Sequence, residues 1–148
     1  MMPKIFLATD HAGFELKEKI KEYLVKSGYE VHDHGAHSYD KNDDYPDFVI
    51  PAAKNVAKNP NSMGIIFGAS GQGEAIAANR IKGIRAALYY GGNLEIVELS
   101  RTHNNANVLS LGARFLSNEE AVKAVRLWLD TGFSSGERHI RRIKKIDN

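Results

Sequence analysis

The stretch Phe67-Gly68-Ala69-Ser70-Gly71-Gln72-Gly73-Glu74 places three glycines, a hydroxyl and a carboxylate on what reads as one strand-to-helix turn. Gly68 and Gly73 have the spacing of a phosphate-binding loop, but that loop continues with Lys-Ser or Lys-Thr to neutralise phosphate and hold magnesium. Glu74-Ala75 follow here, and an acid in the lysine's place repels a nucleoside triphosphate. The dinucleotide pattern G-x-G-x-x-G fails too, because Ile76 stands where its third glycine belongs. What is left is a turn with free N–H groups, which favours an anion or a developing oxyanion. Glu74, on the first helical turn, lies in the same positive field, which predicts an ionised carboxylate able to act as a base. A base beside an oxyanion site is what removing a proton next to a carbonyl requires. The competing reading is a capping-turn acid on a turn whose glycines serve only its tightness.

Further candidates lie elsewhere in the chain. His103 ends a helix expected from Asn93, where the helix dipole favours protonated imidazole; it is a proton donor or only a cap. Asp10-His11 closes the first strand, so both side chains could face a ligand crevice, or Asp10 could simply start the next helix. His32, His34 and His37 lack an ordered set of carboxylates, so a polar strand end is the better reading and no metal site is expected. Arg138 and Arg142 are neighbours on one helical face and suit a phosphate monoester, with Arg114 as a third candidate. A solvated basic face is the alternative. No aromatic residue interleaves with these charges to stack bases, which argues against a nucleic-acid partner.

These residues need a frame, and the chain supplies a repeating one. Apolar runs at 4–9, 29–33, 64–67, 85–89 and 107–111 read as strands. Helical patterns lie along Leu16, Ile20, Tyr23 and Leu24 up to Ser27-Gly28, from Pro46 to about Val56, at 73–80 and 93–103, and near 118–131 and 136–146. Pro51 should distort the second helix locally, and Asp43-Asp44 read as its capping acids. Strands alternating with helices and no hairpin signal predict one domain over 1–148, a three-layer α/β/α sandwich with a five-stranded parallel, Rossmann-like sheet. Ligands of such sheets collect at the carboxyl ends of the strands, which selects Asp10-His11, Gly68–Glu74, Tyr89–Asn93 and Gly112–Arg114.

Composition sets outer limits. The 148 residues are 43% hydrophobic and 26% charged, which excludes intrinsic disorder. There is no cysteine, so disulfides, thiolate catalysis and zinc-thiolate sites are excluded. A net charge of +2 argues against a nucleic-acid coat. No apolar run approaches a membrane span and the start does not read as a signal peptide, so a cytoplasmic protein is expected.

Asp10-His11-Ala12-Gly13, Asp44-Tyr45-Pro46, Gly68 to Glu74 with Ile76-Ala77-Ala78-Asn79, Arg101-Thr102-His103-Asn104-Asn105-Ala106-Asn107 and Arg138-His139 occur in that order. In combination the chain resembles, over essentially its whole length, the type B ribose-5-phosphate isomerases and the related galactose-6-phosphate isomerase subunits. The resemblance implies cofactor-free interconversion of aldose and ketose phosphates of pentose phosphate metabolism through an enediolate. One branch of the family uses a cysteine base at the position of Gly68, which this chain cannot; the other has glutamate at the position of Glu74. By the same resemblance Ser70 and the amides around Gly71 and Gly73 hold the enediolate oxygens, and Asp10 and His103 serve ring opening. Asn104 binds a sugar hydroxyl, His11, Arg114, Arg138 and Arg142 hold the phosphate, and Tyr45 lines the pocket. The resemblance also implies a homodimer or homotetramer with each site shared between chains. A six-carbon sugar phosphate as substrate, a non-catalytic sugar-phosphate-binding module and an RNA-binding protein are the competing functions.

Overall fold

In the computed structural model, which describes residues 2–148, five parallel strands alternate with helices. The strands are β1 (Ile5–Thr9), β2 (Val31–Asp33), β3 (Met63–Gly68), β4 (Ala86–Tyr89) and β5 (Val108–Gly112). Helices α1 (Phe14–Lys26), α2 (Pro46–Lys58), α3 (Gln72–Asn79) and α4 (Glu95–Thr102) connect them, and α5 (Asn118–Asp130) and α6 (Glu137–Asp147) follow β5. The expected α/β architecture is therefore present, with sheet order β2-β1-β3-β5-β4. β2 is shorter than its apolar run suggests, because this edge strand pairs with β1 only over Val31, His32 and Asp33.

Strand alternation divides the core into two layers. Ile5, Leu7, Ile65, Phe67, Leu109 and Leu111 point to one face, where Leu16, Ile20 and Leu24 of α1 and Ala121, Val125 and Trp128 of α5 cover them. Phe6, Ala8, Ile66 and Val108 point the other way, onto Val49, Ala52, Ala53 and Val56 of α2 and Ala78 of α3. α2 continues through Pro51. That proline is exposed, so the buried stripe of the helix is built without it. Among the described residues no helix is long and apolar enough to cross a membrane.

One buried charge anchors the loop that leaves β2. Lys17 is fully buried, and its ammonium donates to both oxygens of Asp33 at 2.8 and 2.7 Å and to the Ala36 carbonyl at 2.7 Å. Burial opposes the Asp33 charge, yet Lys17, the Gly35 amide and Lys21 together hold its carboxyl below the usual range. Breaking such a pair costs roughly 3–5 kcal/mol, so the segment leaving β2 is firmly tied to α1.

The strand order also locates a crevice. From β1 the chain goes to β2 on one side, and β3 then joins β1 on the other. The loops after β1 and β3 therefore diverge, which is where open parallel sheets bind ligands.

Candidate active site

β3 ends at Gly68, and the turn Ala69-Ser70-Gly71 reverses into α3. Gly71 has φ of 79°, a left-handed conformation that favours glycine. Its carbonyl accepts the buried Ser110 hydroxyl at 2.6 Å, which locks the turn to β5. The Ser70 hydroxyl stays at the turn and accepts from the Gln72 amide at 3.3 Å. The phenol of Tyr45, the residue preceding α2, lies directly over Gly73. Gly68 has a stricter reason to be glycine: a Cβ there would collide with the carboxylate of Glu74. The side chain of Glu74 thus folds back over the strand end.

Glu74 is buried, at 4% exposure. Burial pushes its carboxyl above the usual range, its own amide opposes this, and the nearby Asp10 adds to it. This corrects the sequence expectation that the helix N-terminus would favour the ionised form. Desolvation outweighs the dipole, because the carboxylate has left water for the cleft between β1 and β3. The result is a carboxylate of higher proton affinity than that of a surface glutamate.

Asp10, also buried, caps the short 3-10 turn His11–Gly13 through the Ala12 amide at 2.9 Å. Its capping role and its place beside Glu74 hold together. His11 is gripped by Asp43, whose Oδ1 accepts from the His11 amide at 2.9 Å and bonds Nδ1 at 2.7 Å. That bond raises the imidazole pKa against the effect of burial, with Asp10 and Asp40 adding to the rise. Asp43 was therefore misread as a helix-capping acid: Tyr45 precedes α2 without any side-chain cap, and Asp43 turns toward His11 instead. Sequence reasoning missed this contact, since it joins residues 32 apart in the chain. His11 and the exposed Arg114 share a cavity of about 450 Å³ with Ala12, Glu15, Tyr39 and Ala69. The Arg114 amide donates to Ala69 at 3.0 Å, joining this cavity to the glycine turn. An arginine and a histidine of raised pKa facing one cavity suit a phosphate.

The remaining candidates are not here. α4 leaves the carboxyl end of β4 and returns the chain to the start of β5, so His103, at its C-terminus, lies at the amino edge of the sheet. The register confirms it: the Asn107 carbonyl accepts from Gly64 at the start of β3, and its amide donates to Arg85 before β4. The six residues of β3, roughly 20 Å of strand, separate this edge from Glu74. His103 and Asn104 are exposed, and the His103 ring stacks on His139 of α6 at 4.2 Å. Arg138 and Arg142 are exposed on that same helix. One chain thus brings Asp10, His11, Tyr45, Ser70, Gly71, Gly73, Glu74 and Arg114 together, and separately groups His103 and Asn104 with the helix carrying Arg138 and Arg142.

Among the described residues, Asp10, His11 and Asp43 are the group whose ligand atoms come within 4.8 Å of one another. His11 pairs with Asp43 Oδ1 and Asp10 accepts from the Ala12 amide, while Asp43 Oδ2 is buried without a hydrogen-bond partner among the described residues. His32 bonds Glu30 and His34 meets Asn55, separate contacts that give no shared ligand geometry. A larger hollow of about 620 Å³ opens at the amino edge beside Arg85, Arg101 and Asn107. It holds no buried carboxylate comparable to Glu74.

Comparison with known proteins bears on this arrangement. A family model described as Ribose/Galactose Isomerase matches residues 5–146. Ribose-5-phosphate isomerase B of Mycolicibacterium paratuberculosis is 45% identical over 140 residues, covering 95% of this chain and 87% of the relative. The crystal structure of ribose-5-phosphate isomerase B from Mycoplasma genitalium with bound ribulose-5-phosphate superposes with a TM-score of 0.94 at 42% identity, covering 99% of this chain and 96% of that one. A ribose 5-phosphate isomerase from Thermotoga maritima gives a TM-score of 0.92 at 46% identity, with 99% of each chain covered.

Proposed function

The chain belongs to the ribose/galactose isomerase family, and we propose on that premise that it interconverts ribose 5-phosphate and ribulose 5-phosphate through an enediolate with Glu74 as the base. The observation that carries this reading is the Glu74 carboxyl, buried over Gly68 at the point where the sheet topology diverges. Its raised proton affinity suits it to take a proton from C2 of the open aldehyde and return it to C1. Hydrogen moves as a proton throughout, so the reaction needs no redox partner. The Ser70 hydroxyl and the amides around Gly71 and Gly73 would stabilise the enediolate oxygens, where negative charge develops. Tyr45 would close the pocket over the turn. His11 and Arg114 would hold the phosphate, an anchor remote from the reacting carbons that orients them.

Ring opening requires an acid and a base at the sugar ring, roles that fall to His103 and Asp10, with Asn104 on a hydroxyl. The distance between the sheet edges means that His103 and Asn104 would come from a second copy of the chain, bringing that copy's Arg138 and Arg142 toward the phosphate. A homodimer, alone or paired into a tetramer, meets this requirement.

The test is isomerisation of ribose 5-phosphate by chelator-treated protein in heavy water. Turnover with deuterium entering C2 of the aldose supports the enediolate, and Glu74→Gln should lower kcat by about 10²–10⁴-fold while sugar-phosphate binding persists. Turnover retained in Glu74→Gln removes Glu74 from the role. Binding without turnover by the wild type would instead indicate a sugar-phosphate-binding module. The family description spans galactose isomerases, so parallel rates on allose and galactose 6-phosphates decide the preferred chain length.

A further inference from the structure

Arg85 stands just before β4 and contributes nothing to the glycine-rich turn, yet it bonds Asn104, Asn105, Asn107 and Asp147 at the other edge of the sheet. Its backbone amide donates to Asn107 Oδ1 at 2.8 Å, and its carbonyl accepts from the Asn107 amide at 3.0 Å. Its Nε donates to the carbonyls of Asn104 and Asn105 at 3.2 and 3.1 Å. Its Nη1 reaches Asp147 Oδ2 at 2.8 Å, at the far end of α6, with the Arg85 side chain only 16% exposed. On the other side of the same turn, Arg101 Nη1 donates to Asn105 Oδ1 at 3.0 Å and to the Ala106 carbonyl at 2.6 Å. The turn is held in an otherwise unfavourable shape, since Asn105 has φ of 46°. Two guanidiniums therefore clamp a short turn whose exposed residues are His103 and Asn104.

We propose that Arg85 is the positioning residue for the polar half of the isomerase site, fixing the His103–Asn104 turn and the arginine-bearing helix α6 in one relation. This rests on the isomerase reading above. The guanidinium is suited to the task because its planar fork serves carbonyl and carboxylate acceptors at once, which a lysine cannot do with the same geometry. Through the Asn104 and Asn105 carbonyls it sets where His103 meets the sugar ring. Through Asp147 it sets the reach of Arg138 and Arg142.

The chemistry of the two substrates separates these effects. Ribose 5-phosphate is a furanose that must open before C2 can lose a proton. Ribulose 5-phosphate carries its phosphate on the C5 oxygen and is acyclic, so exchange of its C1 hydrogen with solvent needs only the enediolate step. Both rates are measured in heavy water on one sample, which makes their ratio independent of how much protein is folded. In Arg85→Ala, ribose 5-phosphate turnover should fall by roughly 10–100-fold, with C1 exchange of ribulose 5-phosphate falling far less. Asp147→Ala should raise KM several-fold and leave kcat within about twofold, since it releases α6 without touching the turn. Equal losses of turnover and exchange in Arg85→Ala, or an unchanged KM in Asp147→Ala, overturn the proposal while leaving the isomerase reading intact. Absence of any ribose 5-phosphate turnover by the wild type overturns the isomerase reading and this inference with it.

Discussion

At the carboxyl end of the sheet Glu74 is 4% exposed, Asp10 is buried, and β1, β3, α3 and the segment before α2 close around them. At the amino end His103, Asn104, Arg138 and Arg142 are all exposed, and Arg85 bonds the Asn104 and Asn105 carbonyls and, at the end of α6, the Asp147 carboxylate. A buried carboxylate has its proton affinity set by desolvation, so that region can tune a base inside a single chain. The exposed imidazole and guanidiniums are left facing solvent in a single chain. On the isomerase reading proposed above, the first region is finished by folding and the second by assembly.

The sharpest way to break this contrast is complementation. Glu74→Gln and His103→Ala chains should each be nearly inactive, because a general base or acid contributes about 10²–10⁴-fold. Mixed and re-equilibrated in equal amounts, they should recover to about a quarter of the wild-type rate, since half the dimers are mixed and each mixed dimer holds one intact site of two. Kinetics of the mixture against the parents checks this. No recovery would mean that base and acid come from the same chain, and the two regions would then have to meet by a large internal movement.

The next effect separates the regions by stability. Gly68→Ala places a methyl group where the Glu74 carboxylate lies, so kcat should fall by about 10²-fold from displacement of the base. Overpacking of roughly 1–3 kcal/mol should lower Tm by about 2–10 °C. His103→Ala removes an exposed ring and should leave Tm within about 2 °C despite its loss of activity. Thermal melts of both variants beside their kcat values make the test. Equal Tm losses would contradict the division into a folded region and an assembled one.

Much of this frame was legible in the sequence. The apolar runs gave the five strands and the parallel sandwich, because a strand buried on both faces leaves a continuous apolar signature. The turn from Gly68 to Glu74 stood out by its broken resemblance to nucleotide motifs. Strand order was not legible, and it is strand order that sets the loops after β1 and β3 side by side and so puts Asp10 near Glu74. The direction of the Glu74 shift was misjudged for the same reason: a dipole is read from local sequence, whereas desolvation depends on which elements pack together. Asp43 was hidden behind a local signal, as an acid just before Pro46 looks like a cap. The separation of His103 from Glu74 could have been found, since a helix following a parallel strand returns the chain to the opposite edge of the sheet.

The smallest expected effect tests whether the carboxyl end also tunes its phosphate grip. The His11 pKa is raised chiefly by the Asp43 hydrogen bond, with Asp10 and Asp40 adding and burial opposing; Glu15 and Arg114 face the same cavity. A raised imidazole pKa means that the protonated ring, and the stability it brings, is fully present below the ordinary histidine value and is lost as pH rises through the raised one. The substrate phosphate becomes a dianion above about pH 6. Grip should therefore be best between that pH and the raised His11 value, with KM climbing beyond it. Asp43→Asn removes the largest cause of the rise, so the climb in KM should begin at lower pH and KM at neutral pH should increase about 2–5-fold, the scale of a weakened charge-assisted bond. The kcat limb governed by Glu74 should not move, because Asp43 is not among the groups that shift the Glu74 carboxyl. KM and kcat profiles from pH 5 to 9 decide it. A KM profile identical to the wild type would show that Asp43 only braces the loop and that Arg114 carries the phosphate charge without help from His11.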